Sequence, residues 1–331
     1  MEKVLTIGAG SWGTALTILL ASKGYECYLW EHDEENRKLL RKDRENKTFL
    51  PNHKLLDNIH VIDDFNEFSD ECSVILLATP TQFIRPVLKN LKKLEPGKII
   101  VNVAKGLEIG SLKRISEIVS EELKEKNYHY VHFAGPTHAE EVSNKVPSAI
   151  VSVCEEEEIA KKVQNMFSTS YLRVYTGTDL IGAELAGALK NCIAIAAGIS
   201  DGLGYGDNTK AALMTRGIGE MMIIGKFYNA DPKTFIGLTG FGDLVVTCTS
   251  KYSRNRYLGE KIGSGMSVDE VMGHMKMVSE GAYTIKALKE IIEKNNLRTP
   301  IFIELYNILY NNQSTSTITE IFMNRNLRSE F

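Results

Sequence analysis

A Gly-x-Gly-x-x-Gly run, Gly8-Ala9-Gly10-Ser11-Trp12-Gly13, follows the apolar stretch Val4-Leu5-Thr6-Ile7 without a break and leads into a helix-forming stretch from Ala15 to Ala21. Strand, glycine turn and helix in that order leave few folds open. They describe the first βα unit of a parallel sheet built to hold a dinucleotide. Gly8 permits the tight turn, Gly10 lets the backbone approach a pyrophosphate, and Gly13 lets the helix pack closely on the strand. The helix N-terminus then offers unpaired N–H groups and a partial positive charge to phosphates. A bare glycine-rich surface turn would not need the flanking strand and helix.

The rest of the chain extends this pattern and then abandons it. Apolar strands are expected at 3–7, 26–31, 73–78, 99–104, 130–134 and 149–153, with one more at 172–175 after a helix at 156–166. Near-continuous apolar strands separated by helices predict a mostly parallel sheet covered on both faces. From residue 179 onward helices dominate, at 179–200, 209–228, 267–272, 282–295, 300–310 and 318–325. A chain of 331 residues exceeds what one core usually sustains. The expectation is an α/β, Rossmann-like domain over 1–180 followed by an all-α domain over 181–331.

An acidic residue after the second strand bears on the choice of dinucleotide. Glu31 stands 18 residues past Gly13, where an acid accepts from the adenosine ribose hydroxyls and repels a 2′-phosphate. NAD is therefore favoured over NADP, although Arg37, one helical turn on, could meet a phosphate. Polar or small residues follow the carboxyl ends of the next strands: Thr79-Pro80-Thr81, Lys105-Gly106 and Gly135-Pro136-Thr137-His138. Ligands of open α/β sheets bind along that edge, so Lys105 reads as a ligand group.

The helical half holds two further segments of interest. The stretch from Leu185 to Ile199 is apolar and rich in small residues, with Lys190 and Asn191 as its strongly polar members. A lysine is rarely buried unless it is paired or used. At this length the stretch is expected to be too short to span a bilayer. Further on, Gly242-Asp243, Thr247 and Ser253-Arg254-Asn255-Arg256 bring two arginines and neutral donors together as a cradle for an oxyanion.

Charge and cysteine usage exclude other classes. The net charge of −3 gives no basic surface for nucleic acid or anionic membrane. Five dispersed cysteines, Cys27, Cys72, Cys154, Cys192 and Cys248, read as reduced thiols of a cytoplasmic protein and not as a disulfide frame or metal site. A strand starting by residue 3 leaves no room for a signal peptide, and no membrane anchor is expected.

The chain resembles, end to end, the bacterial-type NAD(P)-dependent glycerol-3-phosphate dehydrogenases. The resemblance rests on Gly8 to Ala15, Ala104-Lys105-Gly106-Leu107, Gly135-Pro136-Thr137 with Ala139-Glu140-Glu141, Leu189-Lys190-Asn191 and Gly198-Ile199-Ser200-Asp201-Gly202. Gly242-Asp243-Leu244, Thr247-Cys248-Thr249, Ser253-Arg254-Asn255-Arg256 and Val278-Ser279-Glu280-Gly281 complete it. It implies reversible hydride transfer between dihydroxyacetone phosphate and sn-glycerol 3-phosphate, with a helical domain like that of 6-phosphogluconate dehydrogenase. It also implies Lys190 as acid/base. Lys105, Gly135, Thr137, Asn191, Asp243, Thr247, Ser253, Arg254 and Asn255 are implied around the substrate. Ser11, Trp12, His32, Lys105, Ala139, Arg254, Val278 and Glu280 are implied beside the cofactor. A homodimer supplying glycerol phosphate for phospholipid synthesis is part of the same expectation. Two rivals stay open at this point: a β-hydroxyacid dehydrogenase of the same two-domain plan, and an NADH-binding redox sensor without turnover.

Overall fold

The structure is a computed structural model and describes residues 2–124, 126–275, 279–323 and 329. The chain divides into two compact units: Met1–Lys105 with Lys113–Glu184, and Gly106–Leu112 with Leu185–Phe331. A reading that draws one boundary along the sequence has no means of assigning Gly106–Leu112 to the second unit.

The first unit is a single eight-stranded sheet: β1 (Lys3–Ile7), β2 (Glu26–Trp30), β3 (Ile59–Ile62), β4 (Val74–Leu77), β5 (Lys98–Asn102), β6 (Tyr128–Ala134), β7 (Ser148–Val153) and β8 (Leu172–Gly177). They lie in the order β3-β2-β1-β4-β5-β6-β7-β8. Every neighbouring pair is parallel except β6 with β7, which is antiparallel. This is the Rossmann-like sheet expected from the sequence. β3 was not anticipated, because a four-residue edge strand interrupted by the exposed His60 shows no continuous apolar run.

Burial explains why the central strands are apolar throughout. Successive strand residues point to opposite faces, and here both faces are covered. Val74 and Leu76 of β4 join one apolar cluster, packed with Leu16, Leu20 and Phe167. Ile75 and Leu77 join the other, packed with Ile84, Val87 and Ile118. Each such side chain contributes about 1.5–3 kcal/mol on burial, so a polar residue at any of these positions would be costly. The strand order reverses between β1 and β4. The turn after β1 therefore sits at the switch point where open α/β sheets bind ligands.

Within the second unit the described regular elements are helical. The main ones are Asp207–Phe227, Asp243–Thr249, Arg254–Gly263, Val268–His274, Glu280–Lys294, Pro300–Tyr310 and Thr317–Met323. The helix Leu180–Gly202 begins in the first unit and continues into the second. One expectation about it needs correcting. At 23 residues and a mean hydropathy of 1.5 it is long and apolar enough to cross a membrane. Length therefore does not exclude a span. What matters is that 89% of its apolar window is buried inside the protein.

Candidate active site

In the first unit the glycine turn is built as the sequence implies. Gly8 has φ +112°, and a Cβ there would lie 2.7 Å from the Ala78 carbonyl oxygen on the neighbouring strand connection. A Cβ on Gly13 would lie 2.1 Å from the Gly8 carbonyl oxygen, so the helix Ser11–Ser22 can approach the turn only without a side chain there. Gly10 differs: nothing lies within 4 Å of its Cβ position, and as N-cap it gives the helix no side-chain hydrogen bond. Open space beside an uncapped helix N-terminus suits a pyrophosphate, and the residues present fit a dinucleotide. Ser11 and Trp12 occupy the first helical turn, and Trp12 packs against Leu50 and Ala139.

Glu31 follows β2 and reaches this turn. Its Oε2 accepts from the Ala9 N–H at 3.1 Å and its Oε1 from the Asp33 N–H at 3.2 Å. Arg37 is engaged locally: Nη1 donates to the carbonyls of Glu31 and His32, and Nε stands 3.3 Å from Asp63. The carboxylate of Glu31 is thus held against the turn, and His32 after it is exposed. Asn46 was not anticipated from the sequence. It is buried, and its Nδ2 donates to the Ala9 carbonyl at 2.7 Å and to Thr14 Oγ1 at 2.8 Å, bracing the turn from behind.

Lys105, Gly135 and Thr137 meet at one atom. The Gly135 carbonyl oxygen accepts from Lys105 Nζ at 3.3 Å, from the Thr137 N–H at 2.9 Å and from Thr137 Oγ1 at 3.4 Å. Ala139 opens the short helix that follows, Ala139–Ser143.

Beneath Lys105 lies a polar cluster that sequence reading missed. Asn102, the last residue of β5, is wholly buried and stands opposite His132 of β6 in the register. Tyr130, two residues before His132, donates to Glu184 Oε1 at 2.7 Å. Glu184 also accepts from Arg114 Nη1 at 3.0 Å, from the Ser116 N–H at 2.8 Å and from Ser116 Oγ at 2.5 Å. Burial pushes the Glu184 carboxyl up despite the opposing Arg114 charge. Burial, and then the Glu184 charge, raises the Tyr130 phenol well above its ordinary range.

In the second unit Lys190 is buried and paired. Its Nζ donates to Thr247 Oγ1 at 2.6 Å and lies 3.1 Å from Asp243 Oδ1, with both charged side chains almost fully out of water. Thr247 Oγ1 donates in turn to the Asp243 carbonyl at 2.5 Å. Asn191 Oδ1 accepts from Asn255 Nδ2 at 2.9 Å. Asn255 Oδ1 accepts from Ser279 Oγ at 2.8 Å and from the Gly281 N–H at 3.0 Å.

The residues of the expected oxyanion cradle differ in their surroundings. Ser253 caps the helix Arg254–Gly263, accepting from the Arg256 N–H. Arg256 is engaged by other groups. Its guanidinium pairs with Asp201 at 2.7 Å and Glu260 at 3.1 Å and donates to the Ser250 carbonyl. Of the two arginines, Arg254 is the exposed one, and it sits at the helix N-terminus beside Ser253 and Asn255. That helix crosses Leu180–Gly202 at backbone contact: a Cβ on Gly198 would lie 2.0 Å from the Arg256 carbonyl oxygen. Glu280 begins the helix Glu280–Lys294. Val278 lies outside the described residues.

Comparison with known proteins adds independent findings. Residues 3–160 match the family model for the N-terminus of NAD-dependent glycerol-3-phosphate dehydrogenase, and residues 179–320 match the model for its C-terminus. The chain is 44% identical over 331 residues to glycerol-3-phosphate dehydrogenase [NAD(P)+] of Citrifermentans bemidjiense, covering 99% of each chain. It is 44% identical over 331 residues to the protein of that name from Fusobacterium nucleatum, covering 100% of this chain and 99% of the other. A crystal structure of glycerol-3-phosphate dehydrogenase from Coxiella burnetii superposes with a TM-score of 0.93 at 31% identity, over 98% of this chain and 99% of that one.

Proposed function

Since the chain belongs to the NAD-dependent glycerol-3-phosphate dehydrogenase family, and is on that ground an NAD(P)-dependent oxidoreductase interconverting dihydroxyacetone phosphate and sn-glycerol 3-phosphate, we propose that Lys190 is its general acid/base. The observation that carries this assignment is the buried ammonium held by Thr247 Oγ1 and Asp243 Oδ1. A lysine kept dry and oriented by two fixed oxygens suits proton transfer, and a surface lysine would have neither feature.

When bound, the nicotinamide dinucleotide supplies or takes the hydride. The open Gly10 side and the first turn of Ser11–Ser22 bind its phosphates, and Glu31 accepts from its ribose hydroxyls. In ketone reduction Lys190 donates a hydrogen bond to the carbonyl oxygen and then passes a proton from Nζ to that oxygen as negative charge builds there. In alcohol oxidation the neutral amine takes the hydroxyl proton. Asp243 and Thr247 hold Nζ in one orientation, and Asn191 is held beside it by Asn255. Arg254, exposed at the N-terminus of the helix Arg254–Gly263, binds the phosphate dianion, and this remote contact orients the reacting carbon. Lys105 meets Gly135 and Thr137 at the ends of β5 and β6 in the first unit.

Four parts of the reading extend further. NAD is preferred, because Glu31 rather than Arg37 faces the turn. The compartment is a reducing cytoplasm, supported by five free, buried cysteines. The enzyme works as a homodimer without a membrane anchor; the exposed apolar side chains Ile223, Phe227 and Ile236 of the second unit support a face shared between copies. Its product feeds phospholipid synthesis. The direct test is the initial rate of dihydroxyacetone phosphate reduction with NADH and with NADPH, against a panel of 3-hydroxy acids. Turnover confined to a hydroxy acid would support the β-hydroxyacid rival. Tight NADH binding without any turnover would support the sensor.

A further inference from the structure

The polar cluster behind Lys105 is too expensive to be incidental filling. Asn102 is wholly buried, and burying an amide without partners costs several kcal/mol. Its partners are specific. Its Oδ1 accepts from the Ala104 N–H at 3.1 Å, while its Nδ2 donates to the Ala104 carbonyl at 3.1 Å and to His132 Nδ1 at 3.1 Å. Both polar atoms of the Ala104 backbone are thus clamped by one side chain, immediately before Lys105. The ladder with β4 runs one residue past β5, where the Val103 N–H donates to the Leu77 carbonyl at 3.0 Å, and the Asn102 side chain holds the residue after that. Loop geometry would otherwise let Lys105 swing away from the Gly135 carbonyl that it touches.

The clamp is itself backed. His132, which stands opposite Asn102 in the register and accepts from it, follows Tyr130 by two residues on β6, and Tyr130 donates to Glu184, which is held by Arg114 and Ser116. Glu184 belongs to the first turns of the helix Leu180–Gly202, which carries Lys190 further along its length. These hydrogen bonds tie β6 to the start of that helix within the first unit.

We infer that Asn102, held against His132 of β6, is a positioning residue that sets the place of Lys105 for the reaction. The inference rests on the assignment of Lys105 to the substrate and cofactor. A double-mutant cycle separates the two claims. Dihydroxyacetone phosphate reduction is measured for the full-length parent, Asn102→Leu, Lys105→Ala and the double variant, with NADH affinity followed by fluorescence. The expected result is a loss in kcat of about tenfold or more for Asn102→Leu, with NADH affinity within about twofold of the parent. In the Lys105→Ala background the same substitution should change kcat by less than about twofold. An equal loss in both backgrounds, or no loss in a folded Asn102→Leu protein, overturns the inference. Full activity in Lys105→Ala would instead overturn the underlying assignment. Should Asn102→Leu fail to fold, Asn102→Ser enters the same cycle under the same criterion, since it shortens the side chain away from the Ala104 backbone while keeping a polar group.

Discussion

Lys190 Nζ lies 3.1 Å from Asp243 Oδ1, and neither side chain is more than 6% exposed. Breaking a buried pair by removing one partner leaves an uncompensated charge and typically costs about 3–5 kcal/mol. Lys190→Ala should therefore lose activity and stability together, and the double variant Lys190→Ala/Asp243→Asn separates them. The second substitution removes the stranded carboxylate, so thermal stability should largely return while kcat stays reduced by about 10²–10⁴-fold, the usual scale of general acid/base catalysis. Steady-state rates and melting curves on the parent, the single and the double check this. Recovery of kcat along with stability would show that the lysine is structural.

Arg254 and Arg256 are two residues apart, and Arg256 is tied to Asp201 at 2.7 Å. Arg254→Ala should raise KM for dihydroxyacetone phosphate by about 10²-fold, the scale of a lost charge-assisted contact. It should leave the slow reduction of unphosphorylated dihydroxyacetone nearly unchanged. Arg256→Ala should instead lower the melting temperature, because it dissolves the link between Asp201 and the helix Arg254–Gly263. Equal loss on both substrates for Arg254→Ala would place the phosphate elsewhere.

Glu31 offers the dinucleotide a carboxylate already held by the Ala9 and Asp33 amides. A 2′-phosphate brought beside it would meet like charge. Glu31→Ser should therefore raise the ratio of kcat/KM with NADPH to that with NADH by about tenfold or more. Because Ala9 also loses a hydrogen-bond acceptor, NADH use should fall somewhat. Initial rates with both cofactors measure the ratio, and an unchanged value would assign the preference to another group.

Helix crossing at backbone contact makes a fourth, purely structural test. A methyl on Gly198 would meet the Arg256 carbonyl oxygen at 2.0 Å, and one on Gly259 would meet the Ile195 carbonyl oxygen at 1.9 Å. Neither contact can relax by rotating a side chain. Gly198→Ala should destabilise the second unit by about 1–3 kcal/mol and should also raise KM for the phosphorylated substrate, because the pushed helix begins at Ser253 and Arg254. Urea unfolding with matched kinetics checks both. A stable Gly198→Ala variant with parental KM would mean that the two helices do not meet this closely.

What could be read from the sequence was what local covalent geometry dictates. The roles of Gly8 and Gly13 follow from turn and packing constraints within a few residues, and burial on both faces makes β1, β4 and β5 recognisable as continuous apolar runs. Lys190 stood out because an ionised group in an apolar helix demands a partner. The partner itself, Asp243, is far along the chain and could be named only by resemblance. Arg254 and Arg256 look equivalent in sequence; Asp201 decides between them through a contact that no local rule contains. Asn46, Asn102 and Glu184 sit in stretches whose composition is ordinary. Their importance lies wholly in which backbone atoms the fold brings to them. β3 escaped for a related reason, since a short edge strand needs only one buried face.

The buried thiols make stability fall with alkaline pH. Burial pushes the Cys27, Cys72 and Cys248 thiols up to about 12. In the unfolded chain these groups lose their protons near pH 8.5–9, whereas the folded protein keeps them. Above that pH the unfolded state binds fewer protons, so the stabilisation present below pH 9 is lost progressively as the pH climbs toward 12. Each thiol contributes a slope of at most about 1.4 kcal/mol per pH unit. Urea unfolding between pH 8 and pH 10.5 should show this decline, and Cys27→Ala should make it shallower by one thiol's share even though it lowers stability at pH 7 by creating a small cavity. Native protein at pH 8 should also react with an aromatic disulfide reagent only as fast as it unfolds. Rapid stoichiometric labelling, or an alkaline slope unaltered by Cys27→Ala, would show that these sulfurs are not held protonated in the core.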